Sequence, residues 1–364
     1  MNLDPKSPYN DLPTLPPRAN IESKDILKKT ISASSALSSF REVSKRLPNR
    51  SLFLDTLSLQ EARLSSEIEN IVTTNDELYM AVSDVKNIKD PYVKEVFHYK
   101  DALWDGFEEI KKKGVLSINM VIDLAKIVKE NTEGIRTNPG TVIMNPNTRE
   151  IIYTPPEGKE IILDKLANLE KYINVDDEVN DLIKLAIIHY QFEAIHPFSD
   201  GNGRVGRIIN ILYLVLKGYL DVPILFLGKY ILENKNEYYA KMRNVTNEED
   251  WEDWILFMLE GIRQTSISSQ KRIEKILELM EDTKNELLEK TPNIYSKEFL
   301  DALFYQPYIR SKNIEEAGIV SEKTARIYLK KLEELSILQS KKVKNSLIYI
   351  NSPLLDILSN NNDI

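Results

Sequence analysis

The 364-residue chain carries 48 Lys and Arg against 56 Asp and Glu, a net charge of −8, so it is not a general polyanion binder and any nucleic acid must be met locally. Its 42% apolar and 29% charged residues, with 16 Pro and 12 Gly, exclude a disordered or collagenous chain, and the length suits about two or three domains. The absence of cysteine removes disulfides, thiolate metal sites, cysteine nucleophiles and iron–sulfur clusters together.

Met1 to Asn10 has no charged n-region followed by an apolar run, and the greasiest stretch, Ile208 to Leu216, is far too short for a bilayer span, so a cytoplasmic protein without membrane contact is expected. Pro5, Pro8, Pro13, Pro16 and Pro17 predict an extended segment that makes little core. Ser23 to Lys129 reads as helical, with breaks at Pro48 and at Lys89 to Pro91. Within it Ser58 and Glu61 have the spacing of a capping box, which predicts a helix start there. Thr141 to Met144 and Ile151 to Thr154 are β-prone runs separated by Asn145-Pro146-Asn147-Thr148, a hairpin.

Val175 to Ile195 reads as a long helix that must stop at Pro197, because proline biases His196 away from the α region. A second helix restarts near Gly203 and ends near Gly218, and further helices are expected at Tyr238 to Lys241 and Trp251 to about Glu289. Thr291 to Ile350 reads as a separate small module. Helical segments at Ser296 to Phe304, Asn313 to Ala317 and Ser321 to Leu335 precede short strands near Leu338 to Val343 and Leu347 to Ile350, with Lys344-Asn345 at the turn, an order similar to a winged helix.

The chemistry concentrates in His196-Pro197-Phe198-Ser199-Asp200-Gly201-Asn202-Gly203-Arg204-Val205-Gly206-Arg207. Gly201 and Gly203 let main-chain N–H groups converge at the start of a helix, where unpaired donors and the dipole favour an anion. Arg204 and Arg207, three apart, can lie on one side of that helix and reach a chain of phosphates. Asp200 is a hard oxygen donor suited to a Mg²⁺ ion that arrives with the phosphates, and His196 can accept a proton near neutral pH. These parts make a nucleotidyl or phosphoryl transferase. The same residues match the G-x-G-x-x-G dinucleotide pattern, but a long helix precedes them where that pattern requires a strand. A plain glycine-rich turn with solvated arginines leaves the coincidence of so many special residues unexplained.

His196 to Arg207 matches without departure the motif H-P-F-x-[DE]-G-N-G-R-x-x-R, and on it the chain resembles the Fic (filamentation induced by cAMP) family. Pro8-Tyr9-Asn10-Asp11-Leu12-Pro13 and Leu15-Pro16-Pro17 also look like the N-terminal section of long Fic proteins, so the resemblance covers positions 5 to 260. It implies a mainly α fold: a Fic-type helical core with a β-hairpin flap, an N-terminal helical region and a small C-terminal α+β winged-helix domain. The segments expected are 1–90 with the extended region and an inhibitory helix, 91–260 as catalytic core, 261–290 as linking helix and 291–364 as the winged-helix-like domain.

By the resemblance the chain transfers AMP from ATP to a Ser, Thr or Tyr hydroxyl of a target protein and releases pyrophosphate. His196 is then the general base and Asp200 binds Mg²⁺. Gly201, Asn202 and Gly203 hold the α-phosphate side, while Arg204 and Arg207 take the β- and γ-phosphates. Phe198 fixes the loop, and Tyr238 and Tyr239 line the adenosine pocket. The flap, Thr141, Val142, Ile143 and Met144, takes the target as an added strand. Ser65-Ser66-Glu67-Ile68-Glu69-Asn70 fits [ST]-x-x-x-E-[GN], the family's inhibitory signature; Ser65 and Glu69 share a helix face, and Glu69 is implied to pair with Arg207 where the γ-phosphate belongs.

Alternatives stay open: removal of AMP, phosphotransfer, or a DNA-binding regulator acting through the C-terminal module. That module, Thr291 to Ile350, has ten Lys and Arg against seven Asp and Glu, a net of +3, including Lys323, Arg326, Lys330, Lys331, Lys341, Lys342 and Lys344. The partners expected are ATP, a target protein or the chain itself, a second copy in a homo-oligomer, and DNA through the module.

Overall fold

The computed structural model describes residues 4–47, 50–82, 88–144, 148–343 and 346–359. The expected break at Pro48, the turn residues Asn145, Pro146 and Asn147, and the turn at Lys344 and Asn345 lie outside them. The chain falls into two units that are discontinuous in sequence. One comprises Met1–Ser38, Glu61–Ile71 and Glu95–Ser266; the other comprises Ser39–Gln60, Val72–Lys94 and Ile267–Ile364. The four segments that the resemblance implies are consecutive in the chain, whereas these two units interleave in sequence.

The helices of the N-terminal part are α1 (Lys24–Ser44), α2 (Arg50–Ile68), α3 (Asn75–Val82), α4 (Pro91–Lys113) and α5 (Ile118–Lys129). The Ser117 side chain caps α5 by accepting from the Met120 N–H. Ser58 does not start a helix: it lies inside α2 and is buried, and the Glu61 carboxylate accepts from the Gly228 N–H. Tertiary packing there overrides the local capping signal.

Two short strands follow, β1 (Ile143–Met144) and β2 (Ile151–Tyr153), paired antiparallel with Ile143 opposite Tyr153 and Met144 opposite Ile151 across a bulge. Next come α6 (Lys159–Asn174), not anticipated from sequence, and α7 (Asp181–Ile195), capped by Asn180 rather than starting at Val175. Then α8 (Asn202–Leu216), α9 (Leu227–Glu233), α10 (Lys235–Glu248) and α11 (Trp251–Lys290) complete the series.

At the centre of the first unit α7 packs between α6 and α8, with α5 also against α8. Every residue of α7 from Leu182 to Ile195 is buried, which is why its apolar positions run all round the helix instead of along one stripe. Each fully buried Leu, Ile or Phe there contributes about 1.5–3 kcal/mol. Several of the polar side chains it takes inside are bonded, while His189 Nδ1 and Glu193 Oε1 are buried without a hydrogen-bond partner among the described residues. Lys184 Nζ donates to Val175 O at 2.9 Å and to Asp177 at 3.1 Å, and Gln191 Nε2 donates to Pro13 O at 2.8 Å.

That last bond belongs to a strap. The proline-rich segment lies extended along this unit, with Lys165 Nζ on Leu12 O at 2.7 Å and Asn168 bonded to both the N–H (2.8 Å) and the carbonyl (3.0 Å) of Leu15. Contrary to expectation it adds to the core, because Leu12 and Leu15 are buried.

The second unit contains α12 (Lys297–Tyr305), β3 (Tyr308–Ile309), α13 (Ser311–Glu316), α14 (Glu322–Glu334), β4 (Gln339–Val343), β5 (Ser346–Ile350) and α15 (Ser352–Ser359). Its antiparallel sheet has the order β3-β5-β4, with Tyr308 opposite Ile350 and Lys341 opposite Ile348. Residues far back in the chain complete it: Tyr79 stacks on Tyr308 at 6.0 Å between ring centroids, and Gln60 Nε2 donates to the Tyr79 hydroxyl at 2.6 Å. Among the described residues no helix is long and apolar enough to cross a membrane.

Candidate active site

The loop from His196 to Gly201 joins α7 and α8, both largely buried, so its shape is set from both ends. His196 closes α7 in the left-handed region (φ 49°), its N–H on Phe192 O at 3.0 Å, and Pro197 prevents any further turn. Asn202, buried at the start of α8, ties the loop to itself: its Oδ1 accepts from the Phe198 N–H at 2.9 Å and its Nδ2 donates to Phe198 O at 2.8 Å. The Asn202 amide is thus spent on loop shape, and Phe198 packs in the core against Phe192. Gly201 stands before α8 at φ +79°, a conformation that side chains avoid.

The two arginines of α8 are both buried, at 1% and 2% exposure, and one carboxylate bridges them. Glu69, just past the end of α2, receives Arg207 Nη2 on Oε1 at 2.7 Å and Arg204 Nε on Oε2 at 2.9 Å. Arg207 is held further by Ser65, with Nε on its hydroxyl at 2.5 Å and Nη2 on its carbonyl at 2.9 Å. Glu95 takes the remaining face of Arg204, at 2.5 Å from Nη1. Burial opposes the charge on Arg207, but Glu69 beside it holds the guanidinium above its ordinary pKa. A methyl at Gly203 would lie 2.5 Å from the Glu69 carboxylate, so the missing side chain is what lets an anion approach this helix end.

The structure brings Ser65, Glu69, Arg204 and Arg207 together, and it differs from the expected pairing in one respect: Glu69 engages both arginines rather than Arg207 alone, while Glu67 points to Arg63 at 3.0 Å. Asp200 remains well exposed, pairs with Lys129 Nζ at 2.5 Å and accepts from the Gly201 N–H at 2.6 Å. Burial works against its charge, yet these partners hold its carboxyl below the usual range. Among the described residues no group of three His, Cys, Asp or Glu could cage a metal, so Asp200 fits only a cation that brings most of its oxygen ligands with it.

Burial also sets four unusual titrations in this unit. It raises the Glu61 carboxyl to about 8 and the Glu193 carboxyl to about 7, and it lowers His189 to about 3. His196 falls to about 4, through burial first and the Arg136 cation second. The imidazoles contribute their stability fully above pH 6.5 and lose it as pH falls through about 4 and 3. The carboxyls contribute below pH 4.5 and lose it as pH rises through about 7 and 8. Of these four only the carboxyls change between pH 6.5 and 8. The melting temperature is therefore expected to fall across that window and Glu61→Gln to flatten the fall; a wild-type Tm that rises there would contradict it.

The tyrosine pair divides. Tyr238 is buried and its hydroxyl bonds His189 Nε2 at 2.8 Å, a packing role, whereas Tyr239 is 44% exposed. On the flap Met144 is exposed and Ile143 half-buried, with Thr141 and Val142 leading into β1. In the second unit several cations expected to face DNA are engaged within it: Arg326 with Glu322 at 2.6 Å, Lys331 with Glu334 at 3.1 Å and Lys341 with Asp76 at 3.4 Å. Sequence reasoning missed Glu95, Lys129 and Arg136. No local pattern marks them, because each reaches the loop from a distant segment.

Three family models match the chain in succession: the Fic/DOC family N-terminal model over residues 27–108, the Fic/DOC family model over 115–214, and the C-terminal domain of SoFic-like protein adenylyltransferases over 279–354. A probable protein adenylyltransferase of Aquifex aeolicus is 29% identical over 182 residues, covering 49% of this chain and 54% of the relative. A protein adenylyltransferase of Caenorhabditis briggsae is 25% identical over 146 residues, 39% and 26% of the two chains. The chain thus spans about half the length of the first relative and about a quarter of the second. Among solved structures, a Fic family protein from Desulfovibrio desulfuricans superposes with a TM-score of 0.59 at 18% identity, over 92% of this chain and 98% of that one. A Fic domain signaling protein from Bacteroides thetaiotaomicron gives 0.53 at 17% identity, over 67% and 96%. The contiguous loop, the helices that hold it and the three successive matches agree, and the chain belongs to the Fic/DOC family.

Proposed function

We propose that the protein is an adenylyltransferase that moves AMP from ATP to a Ser, Thr or Tyr hydroxyl of a target protein and is held slow by Glu69. The observation that carries this is the seat of the Glu69 carboxylate: an anion already sits between Arg204 and Arg207 at the open end of α8, where a triphosphate would bind. The relatives named above as adenylyltransferases support the same chemistry.

In this reading the two arginines take the β- and γ-phosphates and the turn at Gly201 and Gly203 admits the α-phosphate. His196, neutral at pH 7, stands at the other end of the loop with Nδ1 enclosed, which leaves Nε2 for the substrate. The target oxygen attacks the α-phosphorus, its proton passes to Nε2, and the bond to the β-phosphate oxygen breaks to release pyrophosphate. Asp200 would hold Mg²⁺ once it lets go of Lys129, and the ion would supply charge neutralisation on the phosphates. The flap offers an exposed strand edge for the target. Tyr239, the accessible member of its pair, is the one left for the adenosine side.

The element order of the second unit, helix–strand–helix–helix–strand–strand, we read as a winged helix with α14 in the recognition position. DNA binding has less behind it, since Arg326, Lys331 and Lys341 are spent on neighbouring carboxylates. A cysteine-free chain that consumes ATP suits the cytoplasm.

ATP labelled separately at the α- and γ-phosphorus tests the reaction class. Incubated with Mg²⁺ and the Glu69→Gly variant, the α-label is expected to become protein-bound and the γ-label to leave in pyrophosphate. Incorporation of the γ-label would assign phosphoryl transfer instead.

A further inference from the structure

Arg136 lies between α5 and β1, outside every motif of the sequence, and its buried guanidinium meets only backbone carbonyls. Nε donates to His196 O at 2.7 Å, and Nη2 donates to Pro156 O at 2.5 Å and to Ile195 O at 3.4 Å. Its own N–H donates to Pro197 O at 2.9 Å. A buried cation that bonds no carboxylate is costly, and burial pulls its pKa down against the opposing pull of the nearby Glu157 carboxylate; a residue that merely filled space would carry no charge. The carbonyls it meets explain the cation. Ile195 and His196 end α7, where unpaired C=O groups and the negative end of the dipole want donors and positive charge.

The same guanidinium reaches the flap. Pro156 follows β2 by three residues, and from β2 itself the Tyr153 hydroxyl donates to Ala194 O at 2.8 Å. The last turn of α7 is therefore pinned from the flap twice, at Ala194 through Tyr153 and at Ile195 and His196 through Arg136. His196 meanwhile holds a left-handed conformation that a non-glycine residue keeps only when its surroundings over-determine it.

We propose that Arg136 is the positioning residue of the general base: it fixes the His196 carbonyl and the base of the flap together, so that a target strand added to the flap and the imidazole share one rigid frame. This rests on the reading of His196 as base and of the flap as the target's seat. The bonds of Arg136 go to Ile195, His196, Pro197 and Pro156 and none to the arginines of α8, so its loss is expected to act on the transfer step rather than on nucleotide binding.

The test compares Arg136→Met, Arg136→Lys and Tyr153→Phe, each with Glu69→Gly. In Arg136→Met the rate at saturating ATP is expected to fall on the order of 100-fold while the ATP concentration for half-maximal rate stays within about twofold. Arg136→Lys restores little, because one ammonium cannot serve the carbonyls on both sides. Tyr153→Phe, which keeps the ring and its packing, gives a smaller fall of the same kind and guards against a folding defect in the arginine variants. Imidazole NMR titration supplies a readout independent of turnover. The groups that face His196 are Arg136, Glu69, Asp200 and the Glu193 carbonyl, so removing the Arg136 cation moves the His196 titration upward. Unchanged rates and an unmoved imidazole in folded Arg136→Met overturn the proposal. An imidazole that moves in a protein showing no AMP transfer even with Glu69→Gly sustains the positioning role and overturns the adenylyltransferase reading instead.

Discussion

Glu69→Gly is expected to raise AMP incorporation on the order of 100-fold or more. The Glu69 carboxylate forms one charge-assisted bond to each arginine, at 2.7 and 2.9 Å, and such bonds contribute about 1.5–3 kcal/mol each. A triphosphate entering the same seat must displace both bonds, and each 1.4 kcal/mol of that competition is a factor of about ten in rate. Removing the carboxylate also leaves two buried guanidinium groups short of a partner, although Ser65 and Glu95 retain part of their bonding. The variant should therefore melt several degrees lower without nucleotide and recover most of that loss in excess ATP. The increase is read from initial rates with radiolabelled ATP. An unchanged rate, or a melting temperature indifferent to ATP, would show that Glu69 does not occupy the nucleotide's place.

His196→Ala is expected to lower transfer by about 10²–10⁴-fold, the range a positioned general base supplies, and to do so equally with and without Glu69. Burial and Arg136 keep the imidazole neutral, with a pKa of about 4, so the base is ready at physiological pH. The rate should rise as pH climbs through about 4 and show no further change from this group above about 6. Because the imidazole takes no part in holding Glu69 or the arginines, the alanine variant should bind nucleotide with little change once Glu69 is removed. Equal loss of ATP binding and of rate would place His196 in the binding site rather than at the proton.

Much of the fold was legible. The helix stop at Pro197, the restart at Gly201 to Gly203 and the long α11 follow from local chemistry, since a proline, a positive φ and helical periodicity act within a few residues. Misreadings arose where packing outweighed those local terms. Ser58 sits inside α2 despite its capping spacing, and α6 was overlooked although Ile162, Leu166, Leu169, Tyr172 and Ile173 recur at helical spacing on its buried face. Residues 39–60 and 72–94 join the C-terminal module because Tyr79 stacks on Tyr308 and Asp76 pairs with Lys341, while Gln60 in turn bonds Tyr79.

The sequence by itself determined the reactive loop, twelve consecutive residues whose types and spacing place a base, a carboxylate and two arginines beside a helix end, together with the i, i+4 pair Ser65 and Glu69 that shares a helix face. Tertiary structure alone decided that Glu69, already singled out by the family spacing, meets both arginines rather than Arg207 alone. It also brought in Glu95, Lys129 and Arg136 and turned Tyr238 inward. The division has one cause. Contacts within a turn or a single loop are fixed by bond geometry and can be counted along the chain. A carboxylate more than a hundred residues from its arginine is placed only when the helices between them have packed.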